Sequence, residues 1–208
     1  MDKEIESLIN KIWITKKSRM EAEARMRRNY IWSQVHLTLN TFAVLAFSIF
    51  TLVLENELLT VLTVIASVGL FGTSLFMSSM RYGERAIEYK QSYLSLYKLE
   101  SECKALKRNK ELMYNHIGKS LIEEEQNDRV LALEKEYVTI LSESENHANI
   151  DFQSTNIKHN KDNLGGKIFK EPTYYIKRIL MFLSNILLLL FLPTLAILIF
   201  SGVLNFEL

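Results

Sequence analysis

NYIWSQVHLTLNTFAVLAFSIFTLVL, residues 29–54, and LLTVLTVIASVGLFGTSLFMSSM, residues 58–80, are runs of 26 and 23 residues without a Lys, Arg, Asp or Glu. A hydrocarbon core about 30 Å thick is crossed by about 20 helical residues at ~1.5 Å each, so either run is long enough. Only Glu55, Asn56 and Glu57 separate them. A bilayer has no water to satisfy backbone polar groups, and a helix closes its hydrogen bonds internally. Residues 29–80 therefore read as a two-span transmembrane hairpin.

Outward from that hairpin, a third uncharged run, Ile179 to Phe206, is 28 residues long and predicts a third span over 179–206. The charged residues, 24% of the chain, are confined to the blocks between the runs rather than interleaved as in a soluble domain. A formal net charge of +1 gives no basis for nucleic-acid affinity, and no direct sequence-specific binding of nucleic acid is expected. Cys103 is the only cysteine, which excludes an intrachain disulfide and a cysteine-based metal cluster. The first 28 residues carry 13 charges, and the apolar run behind them is too long for a signal-peptide core. It is expected to stay as an anchor.

Residues 1–28 read as an amphipathic, basic helix with Ile5, Leu8, Ile9 and Ile12 at 3–4 spacing and Trp13 beside them. No Pro or Gly interrupts the path from Met1 into the first span. Lys16, Lys17, Arg19, Arg25, Arg27 and Arg28 precede that span, and Tyr30 and Trp32 suit an interfacial aromatic belt. The Glu55–Glu57 tip has no base, Arg81 and Arg85 follow the second span, and Lys167, Lys170, Lys177 and Arg178 precede the third. The positive-inside rule then places the N-terminus and residues 81–178 in the cytosol and the tail outside a cell membrane.

Past Met80 the helix has little reason to stop, because Gly83 alone costs about 1 kcal/mol against Ala. Tyr82, Ala86, Tyr89, Tyr93, Leu96 and Cys103 keep a coiled-coil-like spacing with Glu100 as a gap. A turn is expected in 109–118, and a second helix from near Ser120, with Glu123 completing a capping box. It carries Val130, Leu133, Tyr137, Ile140 and Leu141 on one stripe. Residues 81–146 thus predict a cytosolic antiparallel helical hairpin. The stretch 147–178, rich in Asn and Lys with Gly165–Gly166 and Pro172, reads as a polar linker or docking segment. The fold class is an all-α membrane protein: a transmembrane helical hairpin, a third C-terminal span, and the cytosolic hairpin.

Gly-rich phosphate loops, Gly-x-Ser-x-Gly, Cys-x-x-Cys and His-Glu-x-x-His are all absent from the chain. No enzyme activity, cofactor or metal is expected. His147 and Asp151 are four apart and would share a helix face, but one His and one Asp make an incomplete metal site. The simpler reading is that Asn146 and His147 cap the second helix and Asp151 fixes the turn after it. In the spans, Thr41, Ser48, Thr51 and Glu55 fall on one helix face, and so do Thr60, Thr63, Ser67 and Ser74. In an oligomer these stripes could line a pore with Glu55 and Glu57 as an acidic ring at its outer mouth. Alternatively the hydroxyls bond back to the carbonyl four residues earlier, or hold helices together. Gly69, Gly72 and Thr73 lie on a different side and would allow close helix approach. Asn40, deep in span one, should face protein or water.

The residues Arg25–Tyr30 before span one, RYGERAIEYKQSYLSLYKL at 81–99, and Tyr137…Glu145-Asn146-His147…Asp151-Phe152 carry a resemblance over roughly residues 5–152. Together they resemble the SLATT family, two-transmembrane effector domains associated with SMODS nucleotidyltransferases and SLOG sensors. The sequence looks most similar to the branch found beside reverse transcriptases, with a third span added to the two-span pattern. The resemblance implies a bacterial anti-phage effector that forms an oligomeric pore or otherwise disrupts the inner membrane, causing abortive infection. Its implied partners are the lipid bilayer, further copies of itself, and a regulator encoded nearby. That regulator would be a reverse transcriptase with its nucleic acid product, or a nucleotide-signalling enzyme. The competing expectation is a membrane-tethered scaffold without a pore.

Overall fold

The computed structural model describes residues 2–54, 57–114 and 119–163, and isolated positions beyond these (Ile176, Ile179, Leu180 and Leu183). Every secondary-structure element among the described residues is an α-helix. They are α1 (Asp2–Leu54), α2 (Glu57–Ser79), α3 (Tyr82–Tyr114), α4 (Lys119–Ser142) and α5 (Asn149–Asn163). Apart from Ile179, Leu180 and Leu183, the expected third span falls outside the described residues, as does the Gly165–Gly166 and Pro172 region. The chain divides into two compact units, one of residues 1–26 and 83–170, the other of 27–82 and 171–208.

α1 runs for 53 residues, about 80 Å, and contributes residues to both units. It contains neither Gly nor Pro, so nothing in it breaks the i→i−4 ladder.

In the first unit α1, α3 and α4 share a core. Leu8 and Ile12 of α1 meet Leu96, Leu99 and Cys103 of α3 and Ile140 of α4, with Ile9, Leu133 and Tyr137 packed around them. A second cluster joins Ile5, Leu106 and Val130. Ser144 lies 3.3 Å from Ser92, while Leu106 shares a cluster with Val130, so residue numbers rise along α3 as they fall along the facing α4. The amphipathic N-terminal segment is thus a third member of this core.

The stretch 149–163, inside the expected linker, forms α5. Its buried face is polar, made of Asp151, Ser154 and Thr155. A hydrophobic period could not have revealed it.

The second unit carries the two long apolar helices. Both are long and apolar enough to cross a membrane, and only 17% of the best window of one and 6% of the other is buried. The core helix of a soluble protein would be mostly buried, so these surfaces fit a membrane location. Phe42, Ile49, Leu52, Ile65, Val68 and Phe71 are all among the exposed residues.

One expectation is corrected at the end of α2. The helix does not continue into α3. Met80 leaves the helix, and Arg81 takes φ 47°, the left-handed region that ends helices. The Arg81 amide donates to the Ser78 carbonyl at 3.2 Å, the short bond that closes such an end.

Candidate functional site

Three cations of α1 reach three different helices of the first unit, and these contacts define its polar centre. Lys16 is ion-paired with Glu100 of α3, whose other oxygen accepts from Lys104 at 2.6 Å. The gap in the α3 heptad is therefore filled by a buried carboxylate that receives a cation from α1. Burial pushes the Glu100 carboxyl up, but hydrogen bonds from Lys104 and Lys16 outweigh it and hold the group below the usual carboxylate range.

Arg19 is buried, and its guanidinium donates to the carbonyls of Ile140 at 3.2 Å and Leu141 at 3.4 Å. These belong to the last turn of α4, where carbonyls lack partners within the helix and the dipole favours a cation. Burial draws the Arg19 pKa down from its ordinary value, with the side chain still a cation near neutrality. Arg25 completes the set on α5. Its Nε and Nη2 donate to the two oxygens of Asp151 at 2.8 and 2.9 Å, a fork that a Lys could not reproduce. Glu21, one turn before Arg25, accepts from Ser154 at 2.9 Å and pairs with Lys158.

The segment between α4 and α5 is tied down residue by residue. Glu145 pairs with Arg85, Nη2 to Oε2 at 2.7 Å, and the Asn146 carbonyl accepts from the Tyr89 hydroxyl at 3.0 Å. Burial raises the Tyr89 pKa, with the nearby Glu145 charge adding to the effect. The Asp151 carboxylate also accepts from the Ala148 amide at 3.0 Å, while the Asp151 amide donates to the Ala148 carbonyl at 2.9 Å. Asp151 thus supplies the carboxylate half of a capping box for α5.

His147 lies before α5 begins, its ring tilted against Phe152 at 6.3 Å. It does not share a helix face with Asp151. Among the described residues no group of three metal-ligating side chains comes together. Tyr137 bonds through its hydroxyl to Thr15 at 2.8 Å, linking α4 to α1. Tyr137, Glu145, Asn146 and Asp151 each bond to another helix, whereas His147 meets only Phe152 among the described residues; α4 ends at Ser142, so Asn146 and His147 are not its cap. Sequence reasoning missed the partners of these residues, Thr15, Arg85, Tyr89 and Arg25, and likewise the roles of Lys16 and Arg19, because it read the cations of α1 only as charges flanking a span.

In the spans, Thr41, Ser48, Thr51, Thr63 and Ser67 each donate to the carbonyl four residues earlier, at 2.7–2.9 Å. Thr51 and Thr63 also meet at 3.2 Å, where the two hydroxyl stripes touch. Thr60 and Ser74 are exposed, and Glu55 falls outside the described residues. Gly69 and Gly72 have open space where a Cβ would stand. Asn40 is fully buried, its Nδ2 donating to the His36 carbonyl at 2.8 Å and lying 3.0 Å from His36 Nδ1.

Among known families, the model described as SMODS and SLOG-associating 2TM effector domain family 5 matches residues 1–200. The match runs through both units and into the third uncharged run. No curated protein matches the chain, and no solved structure does.

Proposed function

The chain belongs to SMODS and SLOG-associating 2TM effector domain family 5, and from that membership we propose that it is the membrane effector of a bacterial anti-phage defence system. Copies assemble in the inner membrane and breach it when a partner senses infection, and the infected cell dies with its phage. The partner is a gene neighbour, either a reverse transcriptase with its nucleic acid product or a nucleotide-signalling enzyme. The N-terminus and residues 81–178 face the cytosol, where the partner acts on the α1–α3–α4 core. The observation that carries the reading is the pair of apolar helices whose side chains turn outward rather than into a core.

Activation works through α1, the helix that supplies residues to both units. A partner that loosens Lys16, Arg19 or Arg25 from its acceptor frees the half of α1 that continues into the membrane. The break at Arg81 leaves α2 a poor conductor of the same signal. Dye and potassium leakage from liposomes carrying the full chain, with and without the partner, tests this. Leakage that rises with the partner supports a gated breach, and no leakage from correctly inserted protein refutes it.

A second reading, a tethered scaffold without a pore, is favoured by the five hydroxyls bonded to their own helices. Exchanging the spans for an unrelated anchor separates the two. A scaffold keeps protecting cells against phage after the exchange, and a membrane-breaching effector does not.

A further inference from the structure

The chain leaves the first unit after Met26 and re-enters it at Gly83. Met26 is three residues before the first uncharged run, and Gly83 is three residues after the second. Arg25, beside the first exit, holds Asp151. Arg85 and Tyr89, just past the second, hold Glu145 and the Asn146 carbonyl. Residues 145–152 therefore lie next to both exits, through contacts made wholly inside this unit. α5 also turns its N-terminus that way. Asp151 is level with Arg25 and Ser154 with Glu21, so residue numbers fall along α1 as they rise along α5. Side chains lean toward the N-terminus of their helix, which tips the first turn of α5 toward the exits. In that turn Phe152 is 36% exposed and Ile150 half-buried, and the His147 ring lies 6.3 Å from the Phe152 ring. Neither ring takes part in the fastening that occupies Glu145, Asn146 and Asp151.

We propose that His147, Ile150 and Phe152 touch the bilayer surface, with the Phe152 ring set among the lipid headgroups. The proposal rests on the membrane location of the apolar helices and not on a pore. Three residues reach at most about 11 Å even when fully extended. The headgroup region adds about 5–7 Å to each side of the hydrocarbon core. Each exit is thereby held in that region or just above it, and residues 145–152 with it. A Phe ring at this boundary leaves water as the apolar face of an interfacial helix does. Charge is not what draws this edge to lipid. Arg25 and Arg85 are both paired, and the acids Glu84, Glu143, Glu145 and Asp151 outnumber them. The contact is apolar, and it needs no anionic lipid. Through Asp151 it joins the bilayer surface to the clasp on α1.

The test is fluorescence quenching of the full chain in phosphatidylcholine nanodiscs, with bimane on one introduced cysteine and a nitroxide on the lipid headgroup. Cys103 is buried, and the parent chain treated alike gives its background. Phe152→Cys and His147→Cys should each be quenched at least about threefold more than Asn127→Cys. Asn127 is exposed near Val130, which clusters with Leu106 and Ile5 at the end of the unit away from the exits. Phe42→Cys, exposed on α1, reports insertion when the nitroxide is placed in mid-chain of the lipid. In the His147→Cys chain, Phe152→Asp should abolish the extra quenching and Phe152→Trp should keep it. Quenching at His147→Cys and Phe152→Cys no greater than at Asn127→Cys, with Phe42→Cys quenched, overturns the contact and leaves the membrane reading intact. Phe42→Cys unquenched as well fails both. Quenching of the two sites that appears only when anionic lipid is added overturns the apolar contact in favour of a charged one.

Discussion

Arg25 holds Asp151 through two hydrogen bonds, at 2.8 and 2.9 Å, across 126 residues of chain. The same carboxylate caps α5 through the Ala148 amide. One side chain therefore anchors α5 to α1 and begins it.

Removing that carboxylate takes both of these bonds from a largely buried guanidinium. Asp151→Ala is expected to cost about 3 kcal/mol, the low end for a broken buried pair, because Arg25 keeps some solvent contact. Asp151→Asn should cost less, since its oxygen can still accept from Ala148. Limited proteolysis between α4 and α5 checks both. Equal cleavage rates for Asn, Ala and the parent chain would contradict the anchoring role.

Glu100 makes stability depend on acid. Its folded pKa lies below the ordinary glutamate value of about 4.3, so the unfolded chain takes up the proton first as pH falls. The contribution is complete above the unfolded value and is lost as pH falls through the lower folded one. Thermal unfolding scanned from pH 7 to pH 3 should show this loss, and Glu100→Gln should flatten it. A scan of unchanged slope in the variant would place the acid sensitivity elsewhere.

Cys103 should be chemically quiet. Burial pushes its thiol from 9.0 up to about 11, about a hundredfold less thiolate at neutral pH. Maleimide labelling at pH 7.5 is expected to be slow in the native protein and fast in denaturant. Rapid labelling of the native chain would mean that the α1–α3–α4 core opens on the labelling timescale.

Arg81 occupies a backbone region that β-branched residues avoid. Arg81→Val is expected to be about 1–2 kcal/mol less stable than Arg81→Gly, compared by thermal unfolding in one detergent. The opposite order would show that the break between α2 and α3 does not depend on this conformation.

The uncharged runs showed the two apolar helices because membrane crossing is a matter of length and hydropathy, both written along the chain. The N-terminal helix was legible from Ile5, Leu8 and Ile12 for a similar reason. What stayed hidden depends on partners distant in sequence. Glu100 reads as a flaw in a heptad until Lys16 is seen opposite it. α5 buries Asp151, Ser154 and Thr155, so no apolar stripe announces it. The break after α2 falls at Arg81, where neither Pro nor Gly marks it and the helix was expected to run on.

The reach of Lys16, Arg19 and Arg25 also has a consequence in time. A ribosome finishes both apolar helices before it has made Glu100, Ile140 or Asp151. At roughly 5–20 residues per second, the 126 residues from Arg25 to Asp151 take on the order of ten seconds. Through that interval the three cations are solvated and unpaired, and the insertion machinery can read them as flanking charge. Only afterwards are they withdrawn from view, each by a different helix. The same residues can therefore orient the nascent chain first and fasten the finished one later.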